Sequence, residues 1–326
     1  MKSIPSSKII VIVGSTASGK SDLGVRIAKQ INGEIISADS RQVYKGLDIG
    51  SGKITKKEMR GIPHYCLDIA SPKKIFTAEN FKKYGSWALE QITKKEKIPI
   101  IVGGTGFYID VLLGRMQTAN VPPNPKLRKK LEKKHTKQLF LVLKKLDPAR
   151  AKTIDKNNPR RLIRAIEIAV IIRQNNPSLI LARPASGSEV SAFLSLPKVG
   201  NHAKKTSKSV QSYSVLWLGV QKSPTELKKR IHTRLLKRLP GIIIEVQRLH
   251  KNGLSWKRMN ELGLEYRYVS LHVQGKLNYK LMTNKLQTAI WHYAKRQMTW
   301  FRRNKKIHWI KSEKEAQKLI KQFLQK

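Results

Sequence analysis

Lys8-Ile9-Ile10-Val11-Ile12-Val13-Gly14-Ser15-Thr16-Ala17-Ser18-Gly19-Lys20-Ser21 is the stretch on which the fold turns. A short β-branched run ends in glycine. Gly14 to Ser21 then fits G-x-x-x-x-G-K-[ST], and a helical pattern begins at Lys20. Glycines let successive backbone N–H groups turn onto an anion, and the positive end of the helix dipole adds to them. Gly14, Ser15, Thr16, Ala17, Ser18, Gly19, Lys20 and Ser21 are therefore expected to cradle a diphosphate. Lys20 would neutralise its oxygens, and the Ser21 hydroxyl would ligate Mg²⁺. Such a loop names an anion and not a reaction, since ATP, GTP or any other diphosphate fits it. Nucleotide hydrolases add an apolar strand ending in an Mg²⁺-binding acid. Here the run 98–102 ends in Gly103-Gly104-Thr105, and the next acid is Asp110.

Outward from the loop, 34–37 and 98–102 read as further strands, with helical patterns over 20–30 and 79–94. Alternating β and α units imply a parallel sheet covered on both faces. Beyond Pro122, Pro123 and Pro125 the texture changes, and 126–135 and 158–173 look helical. The stretch 175–211 is rich in Ser, Pro, Gly and Lys and reads as a flexible linker. A strand pattern returns at 213–220. Ser223-Pro224-Thr225-Glu226 then opens a helix, with Ser223 as N-cap, Pro224 at the first helical position and Glu226 as the capping-box partner. The expected architecture is α/β, a P-loop NTPase-like parallel sheet core with helices on both faces and a mostly helical inserted domain. The core takes 1–118 and 213–326, and the insertion takes 119–212.

The chain has 326 residues, 66 Lys+Arg and 21 Asp+Glu, a formal net charge of +45. A chain so basic works against a polyanion. Its apolar fraction of 40% argues against disorder, and its single Cys66 cannot form an internal disulfide, which fits a reducing cytoplasm. No apolar run reaches the ~20 residues of a spanning helix, so no membrane association is expected. The charge is uneven: net +8 over 1–110, +17 over 111–212 and +20 over 213–326. The polyanion-facing surface therefore belongs to the insertion and the C-terminal part. The eight His residues show no metal-ligand spacing.

Ligands of open α/β sheets gather at the carboxyl ends of the strands. Asp39, after the second strand, is placed there with the phosphate loop, either as a helix N-cap or as a carboxylate working in proton transfer or through Mg²⁺. The segment Ile36-Ser37-Ala38-Asp39-Ser40-Arg41-Gln42-Val43-Tyr44-Lys45-Gly46-Leu47-Asp48-Ile49-Gly50 resembles the signature of the tRNA dimethylallyltransferases. Further matches follow in the same order. They are Pro63-His64 with Leu67-Asp68-Ile69, Val102-Gly103-Gly104-Thr105-Gly106-Phe107-Tyr108, 158–167 and Ala294-Lys295-Arg296-Gln297-Met298-Thr299-Trp300-Phe301-Arg302. The chain departs from the family pattern at Leu262-Gly263-Leu264-Glu265-Tyr266-Arg267, where many members carry an Ile-Gly-Tyr-Arg/Lys segment, and at the linker 175–211.

The resemblance implies a prenyl transfer from dimethylallyl diphosphate to the exocyclic amine of the adenosine 3′ of the anticodon, releasing diphosphate. It implies Asp39 as general base, with Thr105 hydrogen-bonding at the same centre and Mg²⁺ as cofactor. It also implies contact of Asp39, Ser40, Arg41 and Gln42 with the target base. Arg128, Arg160, Arg161, Leu162, Ile163 and Arg164 would contact the anticodon stem-loop of the tRNA. Arg296 is expected to reach the diphosphate, and the aromatics and cations of 291–303 suit RNA stacking. A cytoplasmic monomer is the expected state. Two other readings stand beside this one: a P-loop kinase or NTPase working on or with RNA, and a non-catalytic RNA-binding protein.

Overall fold

The computed structural model describes residues 8–119, 121–175 and 213–325. Its centre is one all-parallel sheet of six strands, in the order β3-β2-β4-β1-β5-β6. They are β1 Lys8–Gly14, β2 Gly33–Ala38, β3 His64–Tyr65, β4 Ile98–Gly103, β5 Ser214–Val220 and β6 Ile307–Ile310. β1 is buried along its whole length because it is covered on both faces. Ile10 and Ile12 pack with Leu23, Val25 and Ile27 of α1 (Lys20–Gln30) and with Ala316 and Ile320 of α13 (Glu313–Gln325). Ile9, Val11 and Val13, pointing the other way, enter a larger core. That core is closed by α3 (Ala78–Lys94), α4 (Gly106–Leu112), α9 (Pro224–Lys251) and α12 (Tyr279–Phe301). The remaining helices of this part are α2 (Lys56–Met59), α10 (Trp256–Leu262) and α11 (Leu264–Val273).

The chain divides into two compact units, one of Met1–Gln117 with Ser209–Lys326 and one of Thr118–Lys208. The second holds α5 (Pro125–Leu131), α6 (Thr136–Leu146), α7 (Pro148–Thr153) and α8 (Pro159–Asn175) around a core of Leu127, Leu139, Leu143, Leu162 and Ile166. Beyond Asn175, the linker expected over 175–211 lies outside the described residues.

Three local expectations need correction. The helix expected over 126–135 stops at Leu131, because Glu132-Lys133-Lys134 offers nothing to bury, and α6 starts afresh at Thr136. β3 and β6 were not foreseen: two and four residues are too few to show a period. Ser223 does cap α9, accepting from the Glu226 N–H at 3.2 Å. The Glu226 carboxylate, however, pairs with Arg230 at 3.0 Å and Lys222 at 3.2 Å instead of closing a capping box.

Cys66, just after β3, sits in the larger core, and burial pushes its thiol up to about 12. Free thiols ionise near ~8.5. At about pH 8 the folded protein should therefore resist iodoacetamide while the urea-unfolded chain reacts at once. Alkylation of the native protein at the unfolded rate would mean that this segment opens readily.

Candidate active site

The carboxyl ends of β2, β4 and β1 are neighbours in the sheet, and each carries one part of the site. At the end of β1 the chain turns through Ala17 (φ 61°) and Gly19 (φ 94°) into α1. Gly14 is required there, since a Cβ would meet both Ser18 Oγ and the Val220 carbonyl at 2.7 Å. Lys20 Nζ donates to the Ser15 carbonyl at 3.2 Å. Burial pulls its ammonium down to about 8, Asp39 opposes the shift and Arg234 adds to it. The Ser18 hydroxyl oxygen is buried with no partner. A buried hydroxyl left unsatisfied costs about 1–3 kcal/mol, so the loop is built for something it does not contact within the chain.

At the end of β2, Asp39 caps no helix. Its Oδ1 accepts the N–H groups of Arg41 at 2.8 Å and Gln42 at 3.3 Å, closing a tight turn. Ser40 N–H donates to Thr105 Oγ1 at 3.1 Å, and Thr105 N–H donates to the Ala38 carbonyl at 3.1 Å. These two bonds hold the ends of β2 and β4 together. The Tyr293 hydroxyl lies near Thr105 and Asp39, and burial with the Asp39 charge pushes the phenol up to about 12. It is a proton donor, not a base. Arg41 and Gln42 are tied inward. Arg41 Nε donates to the Leu262 carbonyl at 2.7 Å, and Gln42 Nε2 donates to the Gly52 carbonyl at 3.2 Å.

Several groups of the crevice were missed in the sequence. Gln297 lies inside a quoted motif, yet its side chain was given no role. It accepts from Thr16 N–H at 2.8 Å and donates to the Gly104 carbonyl at 2.9 Å, joining the phosphate loop to the turn after β4. Arg230, Arg234 and Arg238 recur every four residues on α9, which puts them on one face. A Cβ on Gly19 would lie 3.8 Å from Arg230 Nη1, Arg234 donates to the Gly52 carbonyl at 3.4 Å, and Arg238 donates to the Gly50 carbonyl at 2.9 Å. That spacing was the available signal. Glu245, buried on the same helix, accepts the N–H groups of Asp48 (2.9 Å), Ile49 (2.7 Å) and Gly50 (2.9 Å) and the Tyr266 hydroxyl (2.8 Å). It fixes the loop on which the arginines rest. Burial, opposed by Arg238 and Arg234, holds the Glu265 carboxyl above the usual range.

Arg296 is exposed, its guanidinium 5.8 Å from the Tyr293 ring centroid. Lys228 and Lys295 lie over the Trp291 ring at 5.1 and 5.9 Å.

In the Thr118–Lys208 unit the expected RNA-facing residues separate. Leu162 and Ile163 have their side chains buried in the core of this unit. Arg128 grips the buried Glu167 through two bonds of 2.9 and 2.8 Å. Arg164 pairs with the same carboxylate and donates to the Val121 carbonyl at 2.7 Å. Burial would raise that carboxyl, but Arg128, the Asn124 N–H and Arg164 hold it below the ordinary range. Thus α8 turns Arg164 onto Glu167, while Arg160 and Arg161 are exposed.

With this geometry in view, a family model described as IPP transferase matches residues 42–304. The chain belongs to the IPP transferase family. It is 40% identical over 307 residues to "tRNA dimethylallyltransferase 2" of Shewanella sediminis, covering 93% of this chain and 92% of that one. It is 36% identical over 325 residues to "tRNA dimethylallyltransferase 1" of Geotalea uraniireducens, covering 97% and 98%. Among solved structures, the full-length tRNA isopentenylpyrophosphate transferase of Bacillus halodurans superposes with a TM-score of 0.68 at 29% identity, covering 98% and 97% of the two chains. A eukaryotic dimethylallyltransferase described as acting on tRNA gives 0.68 at 25% identity, covering 90% and 70%. The expected family, the α/β sheet fold and the class of prenyl-transferring enzyme are borne out for this IPP transferase family member. No helix among its described residues is long and apolar enough to cross a membrane.

Proposed function

We propose that the chain transfers a dimethylallyl group from dimethylallyl diphosphate to the exocyclic amine of the adenosine 3′ of the anticodon in tRNA. The observation that carries this reading is the meeting of a phosphate loop with Asp39 and Thr105 on adjacent strand ends, tied across by Gln297. The diphosphate seats in the loop, with Lys20 and Arg234 opposite its charge. As the allylic C–O bond breaks, negative charge grows on the leaving diphosphate, and these cations and backbone N–H groups stabilise it. The adenine amine bonds to the allylic carbon and gives its proton to the free oxygen of Asp39. Thr105 and Tyr293 hold the acceptor in line. The tRNA backbone lies on the basic surface, offsetting the few kcal/mol of base extrusion.

The donor set fits Mg²⁺ only as a shared ligand. Ser21 presents an exposed hydroxyl at the start of α1, and among the described residues no group of three or more His, Cys, Asp or Glu could hold a metal. Mg²⁺ would rest on Ser21, diphosphate oxygens and water, and when bound it supplies further charge neutralisation to the leaving group.

The test is to incubate the protein with unmodified tRNA, Mg²⁺ and dimethylallyl diphosphate, digest the RNA and weigh its nucleosides. A prenylated adenosine is expected. An unmodified pool, or ATP turnover without prenylation, overturns the proposal.

The inserted unit gives a second expectation. Arg160→Ala with Arg161→Ala should weaken tRNA binding and lower its salt dependence by about two ionic contacts, with the melting temperature unchanged. Arg164→Ala should instead destabilise the unit by about 1.5–3 kcal/mol, because it strips hydrogen bonds from a buried carboxylate. Filter binding across a salt series and calorimetry separate the two; equal melting losses would refute the division.

A further inference from the structure

Between α4, β5 and the end of α12 lies a half-open pocket of about 200 Å³ that the chemistry above does not use. Every residue lining it belongs to the unit that holds the sheet. It is separate from the phosphate crevice. That crevice sits at the carboxyl ends of the strands, whereas Trp217 in the pocket is paired with Ile307, the first residue of β6. Trp217, Trp300, Phe301 and Met116 supply apolar walls. An apolar cavity of about 150 Å³ takes a benzene ring, so the volume here matches a ring system of nucleobase size. Two guanidiniums lie over the indoles, Arg115 at 4.8 Å from the Trp217 ring centroid and Arg303 at 5.2 Å from that of Trp300. Both arginines line the pocket and are exposed. Asp110 answers one of them, 3.5 Å from Arg115, while its other oxygen accepts the Trp300 N–H at 2.9 Å. Among the described residues Arg303 has no ion pair. Asn304 also lines the pocket. Its side-chain oxygen accepts the Lys306 N–H at 3.1 Å, but its Nδ2 is buried without a partner among the described residues. A buried amide donor costs stability unless something meets it.

We propose that this pocket binds a nucleotide: the base packs on the indole-lined walls with its ring edge accepting from Asn304 Nδ2, and the phosphate lies on Arg303 and Arg115. A hydrocarbon would leave the cations unmet, and an aromatic acid without ring acceptors would leave Asn304 unmet. The ligand class follows from the three features together. Its source is a free mononucleotide or one unstacked nucleotide of an RNA strand, which present the same base and phosphate. The pocket also touches the supports of the crevice. α4 begins one residue after Thr105, and α12 carries Gln297 one turn before Trp300.

The test is calorimetric titration of adenosine monophosphate into the full chain, with inorganic diphosphate in excess to occupy the phosphate loop. A saturable site is expected in wild type. Arg303→Ala and Arg115→Ala, both at exposed positions where the fold tolerates change, should each weaken it about tenfold, the loss of one charge-assisted contact. Ribose 5-phosphate, which lacks the base, should not compete. A short oligoribonucleotide that competes at lower concentration than the free nucleotide assigns the pocket to an RNA strand, and the reverse order assigns it to a soluble nucleotide. No saturation up to roughly 1 mM, binding that both arginine variants leave unchanged, or equal competition by ribose 5-phosphate overturns the proposal. Should one variant not fold, the other gives the same readout. None of these readouts needs prenyl transfer, so their failure leaves the proposed reaction standing.

Discussion

Asp39→Asn should lower single-turnover prenyl transfer by about 10²–10⁴-fold while tRNA affinity stays near wild type, the range expected for loss of a general base. The asparagine oxygen can still accept from the N–H groups of Arg41 and Gln42, which Asp39 Oδ1 serves at 2.8 and 3.3 Å, so the turn survives. What disappears is the second oxygen as a proton acceptor. The same change removes the charge that supports Lys20 in its protonated form, so the KM for the donor should rise too. Rapid-quench rates beside gel-shift affinities make the measurement. A wild-type rate would assign proton removal to water and leave Asp39 as a turn residue.

Glu245→Ala carries the largest expected effect on the fold around the site. It strands three consecutive N–H groups and the Tyr266 hydroxyl, all within 2.7–2.9 Å of its carboxylate. With water reaching part of that loop, a loss of about 2–4 kcal/mol is expected. Tyr266→Phe, which removes one of the four bonds, should cost about 1 kcal/mol. Activity should fall further than stability alone requires, because Arg234 and Arg238 rest on the carbonyls of Gly52 and Gly50. Denaturant midpoints compared with kcat make the check. A Glu245→Ala protein as stable as Tyr266→Phe would mean that the loop finds other acceptors.

The parallel sheet and the phosphate loop were legible because their signals are local: a β-branched run, glycines at fixed spacing, a helix start. Asp39 and Thr105 were legible because strand ends collect ligands whatever the family. Gln297 was not, since a glutamine in a helix advertises no partner 281 residues away, yet it bonds the Thr16 N–H. Glu245 hid for the same reason, an ordinary-looking acid in a long helix. For the arginine block 160–164, spacing reports which residues share a face but not what that face meets. Glu167, three residues beyond Arg164, was the clue that one of them points inward.

The strand pairings also set an order of events as the chain is made. β1 is central, with Ile10 beside Ile100 on one side and beside Leu216 on the other. Its second neighbour is synthesised only after the whole inserted unit. At translation speeds of about 5–20 residues per second, the apolar edge of β1 waits roughly 5–20 s for β5. During that interval an unpaired strand edge is a template for any other chain nearby. The inserted unit closes its own core from contiguous sequence and can fold while the edge waits. Synthesis slowed within 118–208 would lengthen the exposure, so yield of soluble protein depends on elongation across a segment whose described residues contribute no strand to the sheet.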